Sequence, residues 1–277
     1  MTEAAQFRLN PSKEVSAPMT DYRPDPAFIA LGGPPFADVV APAAFPEARL
    51  RFRNRRWAEA VGLRGLDDDA WIRHFARFEP LPDNLPEPLA LRYHGHQFRT
   101  YNPDLGDGRG FLFAQLRDGS GRLLDLGTKG SGKTPYSRTA DGRLTLKGGV
   151  REILATEMLE ALGVYTSKTF SVIETGEDLV RQDEPSPTRS CVLVRLSHSH
   201  VRFGTFQRLA YEGDAAAIRR LIDYCASHLD GPGADPAPEA FFARVVARTA
   251  RLAAQWMAAG FVHGVLNTDN MNVTGES

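Results

Sequence analysis

The alternation of hydrophobic and polar positions predicts strands in the middle of the chain and helices on either side of them. Residues 110–117 and 122–129 are two apolar runs that flank the turn sequence Asp118-Gly-Ser-Gly121, which predicts a β-hairpin. Over residues 146–162 the hydrophobic period changes to that of a helix, and Gly163 follows at the position of a C-cap glycine. The middle of the chain is therefore predicted to be β structure with one inserted helix.

The helix over 146–162 is expected to be amphipathic. Glu152 falls on its polar face. Its apolar face is expected to consist of Val150, Ile153, Leu154, Met158 and Leu162. Two further strands are predicted after it, at about 168–174 and 190–196.

Prolines and helical patterns mark the two ends of the chain. Eight of the 19 prolines fall within residues 1–48, which predicts an extended arm because proline breaks helices and cannot donate to a sheet. Short helices are predicted at about 46–61 and 67–78, and longer ones at 215–229 and 239–259. The chain is therefore α+β, with strands in the middle and helices after residue 205.

Composition and charge exclude several classes of protein. Of the 277 residues, 42% are hydrophobic, which is enough for a core and excludes a disordered chain. The 33 basic and 34 acidic residues leave a net charge of −1, so we expect neither nucleic acid nor a membrane as partner. The two cysteines, Cys191 and Cys225, are too few for a disulfide scaffold and are expected to be packing residues. The start lacks the pattern of a signal peptide and no apolar run could span a bilayer, so a cytoplasmic location is expected.

The most obvious local motif is the run Gly127-Thr-Lys-Gly-Ser-Gly-Lys-Thr134, which fits the P-loop pattern of phosphate-binding proteins. A P-loop follows a strand and opens a helix, because the amides at the helix N-terminus hold the phosphates. The strand is predicted, but residues 135–142 carry no helical period. A P-loop NTPase remains one alternative, in which Lys133 would be the nucleotide lysine.

A second set of features has the order of a protein-kinase nucleotide lobe. The glycine-rich loop over residues 104–110 leads into a strand, Lys129 ends the next strand, and Glu152 lies on the following helix. In kinases the lysine neutralises phosphate charge and the glutamate holds it by an ion pair.

The sequence after the last predicted helix resembles a kinase catalytic loop. His263 and Asn270 are in register with the histidine and asparagine of H-R-D-L-x-x-x-N. The position of the catalytic aspartate holds Val265, which cannot accept a proton. Asp269 is the nearest carboxylate in the loop that could replace it.

These segments together closely resemble the selenoprotein O family (bacterial YdiU-type proteins), kinase-like enzymes that transfer AMP to protein hydroxyls. The resemblance extends from about residue 48 to the end of the chain. The motifs that carry it are Tyr93-His-Gly-His-Gln-Phe98, Asn102-Pro-Asp-Leu-Gly-Asp-Gly-Arg-Gly110, Lys129-Gly-Ser-Gly-Lys-Thr-Pro-Tyr-Ser-Arg138, Asp141-Gly142, Val150-Arg-Glu152, Ser199-His-Val-Arg-Phe-Gly204 and His263-Gly-Val-Leu-Asn-Thr-Asp-Asn-Met271.

The resemblance implies a two-lobed kinase-like fold in a bacterial cytoplasmic enzyme. It divides the chain into an N-terminal arm (1–48), a β-rich nucleotide lobe (49–205) and the start of a helical lobe with the catalytic loop (206–277). It implies ATP as substrate, bound in the reverse direction to kinases, Mg²⁺ or Mn²⁺ as metal, and proteins bearing Ser, Thr or Tyr as acceptors.

The resemblance also assigns roles to individual residues. Glu152 pairs with Lys129, Asp269 is the proton acceptor and Asn270 is a metal ligand. The ATP contacts that it implies are Gly106, Gly108, Arg109, Lys129, Asp141, Gly142, Arg195 and Arg202. The phosphates need cations, and arginine grips phosphate through two hydrogen bonds at once.

Two departures from the family pattern stand out. A family glycine is Arg99 here, and the aspartate that is the family's other metal ligand would fall two residues beyond Ser277. We therefore expect that the chain is truncated and that this form has little or no activity. A nucleotide-binding but inactive pseudokinase and a small-molecule kinase remain alternatives. The H-x-H pairs His94/His96 and His198/His200 are expected to be structural, because neither has an obvious third ligand.

Overall fold

The computed structural model describes residues 21–277, so the first 20 residues of the arm predicted over residues 1–48 lie outside this range. The centre of the described chain is an eight-stranded antiparallel sheet in the order β1-β3-β6-β7-β10-β9-β2, with β8 pairing beside it onto β10. A separate two-stranded hairpin is formed by β4 and β5. The strands are β1 (Ala37–Val39), β2 (Arg49–Arg53), β3 (Leu89–Leu91), β4 (Gly95–Gln97), β5 (Thr100–Asn102), β6 (Leu112–Arg117), β7 (Leu123–Lys129), β8 (Leu144–Thr145), β9 (Lys168–Leu179) and β10 (Thr188–Ser197).

Six α-helices accompany the sheet in the described residues, along with a 3-10 turn at Ala27–Leu31. Side chains of Asn54, Asp67, Thr145 and Asp214 cap the first turns of α1, α2, α3 and α5. None of the helices in this part of the chain is both long and apolar enough to cross a bilayer. The helices are α1 (Arg55–Ala60), α2 (Asp68–Phe75), α3 (Leu146–Ala161), α4 (Phe203–Tyr211), α5 (Ala215–His228) and α6 (Pro238–Ala258).

The two faces of the central sheet have different roles. Because side chains alternate along a strand, Leu124 and Leu126 of β7 point to the opposite face from Asp125, Gly127 and Lys129. The leucine face packs into the largest core together with α1 and α2, around the stacked rings of Trp71, Phe75 and Phe170. The other face of β7 and β10 carries the polar side chains, and Cys191 and Leu193 of β10 pack there in a small apolar cluster with Leu146 of α3.

The C-terminal helices form a second core against the edge of the sheet. Leu209 of α4, Leu221 of α5 and Phe241 of α6 pack together with Phe28, which precedes the sheet in sequence. The last segment of the chain returns to the sheet, where the amide of Ser167 donates to the carbonyl of Ser277 and that of Ser277 to the carbonyl of Tyr165, at 2.9 and 3.0 Å.

Most predicted elements are present, but two expectations about helices are wrong. The helix predicted over 46–61 is strand β2 followed by the six-residue α1, since residues 49–53 pair with β9 before Asn54 starts the helix. In α3 most of the predicted apolar face is exposed, including Leu154 (65%), Val150, Met158 and Leu162. The helix instead buries Leu146, Gly149, Thr156 and Leu159, and it turns Glu152 toward the polar face of the sheet. The observed strands and helices confirm the α+β class. The boundaries of the predicted lobes stay predictions.

Candidate functional site

A cavity of about 600 Å³ opens over the polar face of β7 and β10, where the sheet meets the C-terminal segment. Its walls come from the loop before β6, from both strands, from the loop after β10 and from the predicted catalytic loop. Eight of the predicted site residues line it: Gly106, Gly108, Arg109, Lys129, Arg195, Arg202, Asp269 and Asn270. Residues far apart in sequence thus converge on one cavity.

The floor of the cavity is an ion-pair network centred on Glu152. One carboxylate oxygen of Glu152 accepts a hydrogen bond from Nζ of Lys129, and the other accepts from a guanidinium nitrogen of Arg195. The three side chains are 23–30% exposed, so the network is largely shielded from water but reachable from the cavity. This is the pairing of Lys129 with Glu152 that the kinase-like order predicts, with Arg195 as an additional partner.

The two cations fix the ionisation state of Glu152. Burial alone would raise the pKa of this carboxyl, but the charges of Arg195 and Lys129 and their hydrogen bonds outweigh it and lower the pKa to about 2. Glu152 is therefore a carboxylate at neutral pH. With one anion and two cations, the network has net positive charge toward the cavity, which suits an anionic ligand.

Arg202 is held at the opposite wall, immediately before α4. One guanidinium nitrogen lies 3.2 Å from a carboxylate oxygen of Asp107, and another donates to the backbone carbonyl of Asp269 at 2.7 Å. The guanidinium stacks 4.3 Å above the ring of Tyr93. Burial would lower the pKa of Arg202, but contact with Tyr93, Asp107 and Asp269 raises it, so the side chain stays charged.

The glycine-rich loop between β5 and β6 forms the upper edge of the cavity. The ring of Tyr136 packs against Gly106, and the hydroxyl of Ser137 donates to the carbonyl of Gly108 at 2.6 Å. Arg109 is exposed at this edge, and among residues 21–277 it has no ion-pair partner. Its carbonyl accepts from the amide of Gly130 at 2.7 Å, which fixes the loop to the end of β7.

The β4–β5 hairpin positions Asp269. Nε2 of Gln97 lies 3.4 Å from one carboxylate oxygen of Asp269, and the other oxygen is buried without a partner. A Cβ at Gly95 would come within 2.8 Å of the Cβ of Asp269, so only glycine fits there without displacing the carboxylate. The amide of His96 donates to Oγ1 of Thr268 at 2.9 Å and the amide of Gly204 to the carbonyl of Thr268 at 2.8 Å, which ties the loop down on both sides.

The catalytic-loop motif folds into a compact turn. The amide of Asn267 donates to Oδ1 of Asn270 at 2.9 Å, and Nδ2 of Asn270 donates to the carbonyl of Val265 at 2.9 Å. Oδ1 of Asn270 keeps one lone pair, and the unpartnered oxygen of Asp269 is next to it in sequence. Amide and carboxylate oxygens are ligands that Mg²⁺ prefers. The described residues contain no group of three or more His, Cys, Asp or Glu side chains that could hold a metal, so phosphate oxygens and water would have to complete such a site.

Two of the predicted contacts lie away from this cavity. Asp141 pairs with Arg181 at 2.8 Å on the surface, and Gly142 packs against the backbone of Gly132. Neither lines the cavity. Their proposed contact with a nucleotide stays a prediction.

The remaining candidate motifs have structural partners. His94 lies 2.8 Å from the hydroxyl of Tyr101, and His198 is buried beside Tyr165. Residues 130–143, where a P-loop would require a helix, form turns, and Lys133 is not among the lining residues of the cavity. Cys191 and Cys225 are both buried and free, as expected of packing residues.

The structure gives a place at the site to four polar residues without a predicted role there, of which the sequence had singled out only His200, as part of an H-x-H pair expected to be structural. Asp107 and Gln97 contact Arg202 and Asp269 as described, and both occur in motifs quoted above without a role. His200 lines the cavity and its backbone amide donates to the buried Asp125 of β7 at 2.8 Å. The alternation of side chains along β7 could have placed Asp125 on the same face as Lys129. The position of His200 above β7 could not be predicted, because a loop has no repeating pattern of hydrophobic and polar residues.

Comparison with known proteins relates the chain to one family. Residues 19–277 match the family described as "Protein adenylyltransferase SelO". The chain is 55% identical over 263 residues to a protein nucleotidyltransferase YdiU from Synechococcus elongatus, covering 91% of this chain and 51% of the relative. It is 56% identical over 261 residues to the protein of the same name from Gloeobacter violaceus, covering 93% of this chain and 53% of the relative. It is 43% identical over 240 residues to the one from Cereibacter sphaeroides, covering 85% of this chain and 49% of the relative. The chain thus spans about half the length of the curated relatives that it matches.

Proposed function

The chain belongs to the SelO family of protein adenylyltransferases, and on this premise we propose that it binds ATP and transfers AMP to Ser, Thr or Tyr hydroxyls of other proteins. Pyrophosphate is the second product. The proposal includes a kinase-like two-lobed fold for the intact enzyme, with the nucleotide bound over the sheet and the acceptor near the catalytic loop.

The observation that carries the proposal is the convergence of four cations and the carboxylate of Asp269 on one cavity. Lys129 and Arg195 share Glu152 at the floor, while Arg202 and Arg109 face the same space from the wall and the upper edge. Four cations suit a triphosphate, since each phosphate oxygen accepts charge-assisted hydrogen bonds. Asp269 lines the same cavity beside Arg202, where an acceptor hydroxyl would approach.

In the proposed reaction, the oxygen of the acceptor hydroxyl forms a bond to the α-phosphorus of ATP. The bond from that phosphorus to the bridging oxygen of the β-phosphate breaks, and its electron pair leaves with pyrophosphate. The hydroxyl proton passes to the carboxylate of Asp269. Lys129, Arg195 and Arg202 stabilise the negative charge that grows on the leaving group.

A divalent metal, Mg²⁺ or Mn²⁺, would be held by Oδ1 of Asn270, with phosphate oxygens and water as its other ligands. When bound, the ion supplies charge neutralisation at the transferring phosphate. The protein residues themselves fix the position of the phosphates and of the proton acceptor.

Two other functions would use the same cavity. A small-molecule kinase would transfer the γ-phosphoryl group, but Val265 stands where such an enzyme needs its aspartate. A pseudokinase would bind ATP without turnover. The geometry of Asp269, held by Gln97 and Gly95 at the wall of the cavity, favours a catalytic role over this second candidate.

Comparison of α-labelled with γ-labelled ATP on a mixture of protein acceptors tests the proposal, and it is made with the intact enzyme because little or no activity is expected of the 277-residue chain. Label that reaches protein from the α position and not from the γ position supports AMP transfer. Label from the γ position alone would contradict it and support a kinase. ATP binding with no label on protein from either position would support the pseudokinase.

A further inference from the structure

His200 lies directly above Gly127 on the cavity side of β7. A Cβ at Gly127 would come within 2.3 Å of Nε2 of His200, so the imidazole occupies the space that a side chain at this position would fill. Both residues line the cavity. The glycine thus lets β7 accept a histidine ring from the loop that joins β10 to α4.

Asp125, two residues earlier on β7, holds this ring from behind. One of its oxygens accepts the backbone amide of His200 at 2.8 Å and lies 3.3 Å from Nδ1 of the ring. Its other oxygen accepts from Nε2 of Gln115 at 2.7 Å, and the carboxylate is almost fully buried. With Nδ1 directed to Asp125, Nε2 is the ring atom nearest Gly127 at the wall of the cavity, and within residues 21–277 no hydrogen-bond partner is found for it.

The imidazole ring of His200 lies at the cationic end of the cavity. Gly127 and Arg195 are opposite each other in the ladder between β7 and β10, so His200 lies beside Arg195. The charged groups around the ring are Asp125 and Lys129 on β7, Arg195 on β10 and Arg202 ahead of α4. Asp125 lies on the Nδ1 side of the ring, and the three cations line the cavity beside it.

We propose that His200 is a further ligand of the polyphosphate, which donates Nε2–H to a β- or γ-phosphate oxygen as an imidazolium oriented by Asp125. The same hydrogen bond stabilises the pyrophosphate as the bond to the α-phosphorus breaks. This inference rests on the proposed function, because it takes the cations as the phosphate end of the cavity. It adds to that function a proton that is taken up when the anion binds.

Inorganic pyrophosphate, titrated calorimetrically into the 277-residue chain, tests the inference without turnover. In His200→Asn the side-chain amide can still donate to Asp125, but it is too short to reach the cavity. We expect the Kd of this variant for pyrophosphate to rise about tenfold or more. His200→Gln places its amide nitrogen at the position of Nε2, so its affinity should lie closer to that of the unchanged chain. Pyrophosphate itself changes its protonation state between pH 6 and pH 8. At each pH we therefore divide the association constant of the unchanged chain by that of His200→Gln. This ratio should be smaller at pH 8 than at pH 6.

Gly127→Ala is a second and independent variant, because its methyl group displaces the ring without altering any charge. It should weaken pyrophosphate binding as His200→Asn does, and the double variant should be no weaker than either single one. Thermal unfolding of each variant shows that the fold is retained.

The outcomes separate the two proposals. Equal affinity of His200→Asn and the unchanged chain, with binding lost in Lys129→Ala, would overturn the role of His200 and leave the nucleotide site standing. Equal losses in His200→Asn and His200→Gln, with a ratio that does not change with pH, would also overturn it. An unchanged chain that binds neither pyrophosphate nor ATP would overturn both the role of His200 and the proposed function.

Discussion

Single residues determine whether the cavity is a phosphate site, and Lys129 and Lys133 make the sharpest comparison. Both belong to the run that fits a P-loop, but only Lys129 lines the cavity and pairs with Glu152. We expect Lys129→Met to weaken ATP binding by about tenfold or more, and Lys133→Met to leave it unchanged. Calorimetric titration of ATP into both variants measures this. The reverse order of effects would restore the P-loop interpretation.

Glu152, again a single residue, leads to a prediction about how the stability of the fold depends on pH. Its pKa is lowered to about 2 in the folded chain, so its carboxylate stabilises the fold above its usual pKa of 4.5, and this stabilisation is lost as the pH falls toward 2. Glu152→Gln leaves Lys129 facing Arg195 and should reduce the free energy of unfolding by about 2–3 kcal/mol at pH 7.

Denaturant unfolding of both proteins at pH 7 and pH 3 measures the effect. The difference between them should be smaller at pH 3, where the carboxylate of the unchanged chain approaches its own titration. A difference that grows as the pH falls would contradict the assignment of Glu152 as a paired carboxylate.

Gly95 provides a test of how Asp269 is positioned. Because a methyl group at Gly95 would meet Cβ of Asp269, Gly95→Ala should slow AMP transfer by about tenfold or more and leave the Kd for ATP unchanged. Gly119→Ala is the matched control, since a Cβ there meets nothing within 4 Å. Single-turnover transfer of label from α-labelled ATP by the intact enzyme, together with ATP titration, separates the two effects. Loss of ATP affinity in Gly95→Ala would show that the hairpin shapes the nucleotide site instead.

At the scale of elements, α3 shows where a sequence pattern predicts the element but not its orientation. The helical period correctly placed the helix at residues 146–161, and the kinase-like order correctly joined Glu152 to Lys129. The predicted apolar side of α3 was wrong. Gly149 lets the helix approach Cys191 and Val172 closely, and the side that is buried carries Leu146, Gly149, Thr156 and Leu159.

Two leucines of α3 make this orientation measurable. Leu159 is 3% exposed and Leu154 is 65% exposed. We expect Leu159→Ala to lower the free energy of unfolding by about 2–4 kcal/mol, and Leu154→Ala to change it by less than about 0.5 kcal/mol. Urea unfolding of the two variants gives both values. Comparable losses would mean that the predicted apolar face is buried after all.

The strands illustrate the same limit of sequence reasoning. Hairpin β6–β7 and the long strands β9 and β10 were predicted, because apolar runs and turn residues mark them directly. The three-residue strands β1, β3, β4 and β5 were not, since a strand of that length has too few positions for a period of two to appear. Yet β4 and β5 hold Asp269, so the elements hardest to predict include one that matters for the site.

At the scale of the whole molecule, buried histidine makes the fold sensitive to acid. His198 is buried where the last residues of the chain return to the sheet, and its amide donates to the carboxylate of Glu276 at 2.6 Å. Burial, together with the charge of Arg122, lowers the pKa of His198 to about 4. Since its unfolded pKa is 6.5, the neutral ring favours the folded state above pH 6.5, and this contribution is lost as the pH falls from 6.5 to 4.

We therefore expect the free energy of unfolding to fall by roughly 2–3 kcal/mol over this window through His198 alone. His198→Gln cannot take up a proton, so its stability should depend less on pH between 6.5 and 4. Denaturant midpoints of both proteins across this range provide the measurement. Parallel curves for the two would show that His198 does not titrate with unfolding.

The bonds that join the β4–β5 hairpin, the start of α4 and the predicted catalytic loop have a consequence for the entropy of the proposed reaction. The amide of His94 donates to the carbonyl of Gly204, and the amide of Gly204 to that of Thr268, so three segments distant in sequence share one backbone network. Asp269 is thereby ordered before any ligand arrives. Little conformational freedom of the protein then remains to be lost when phosphate and hydroxyl meet, and the reactive geometry is a property of folding more than of binding.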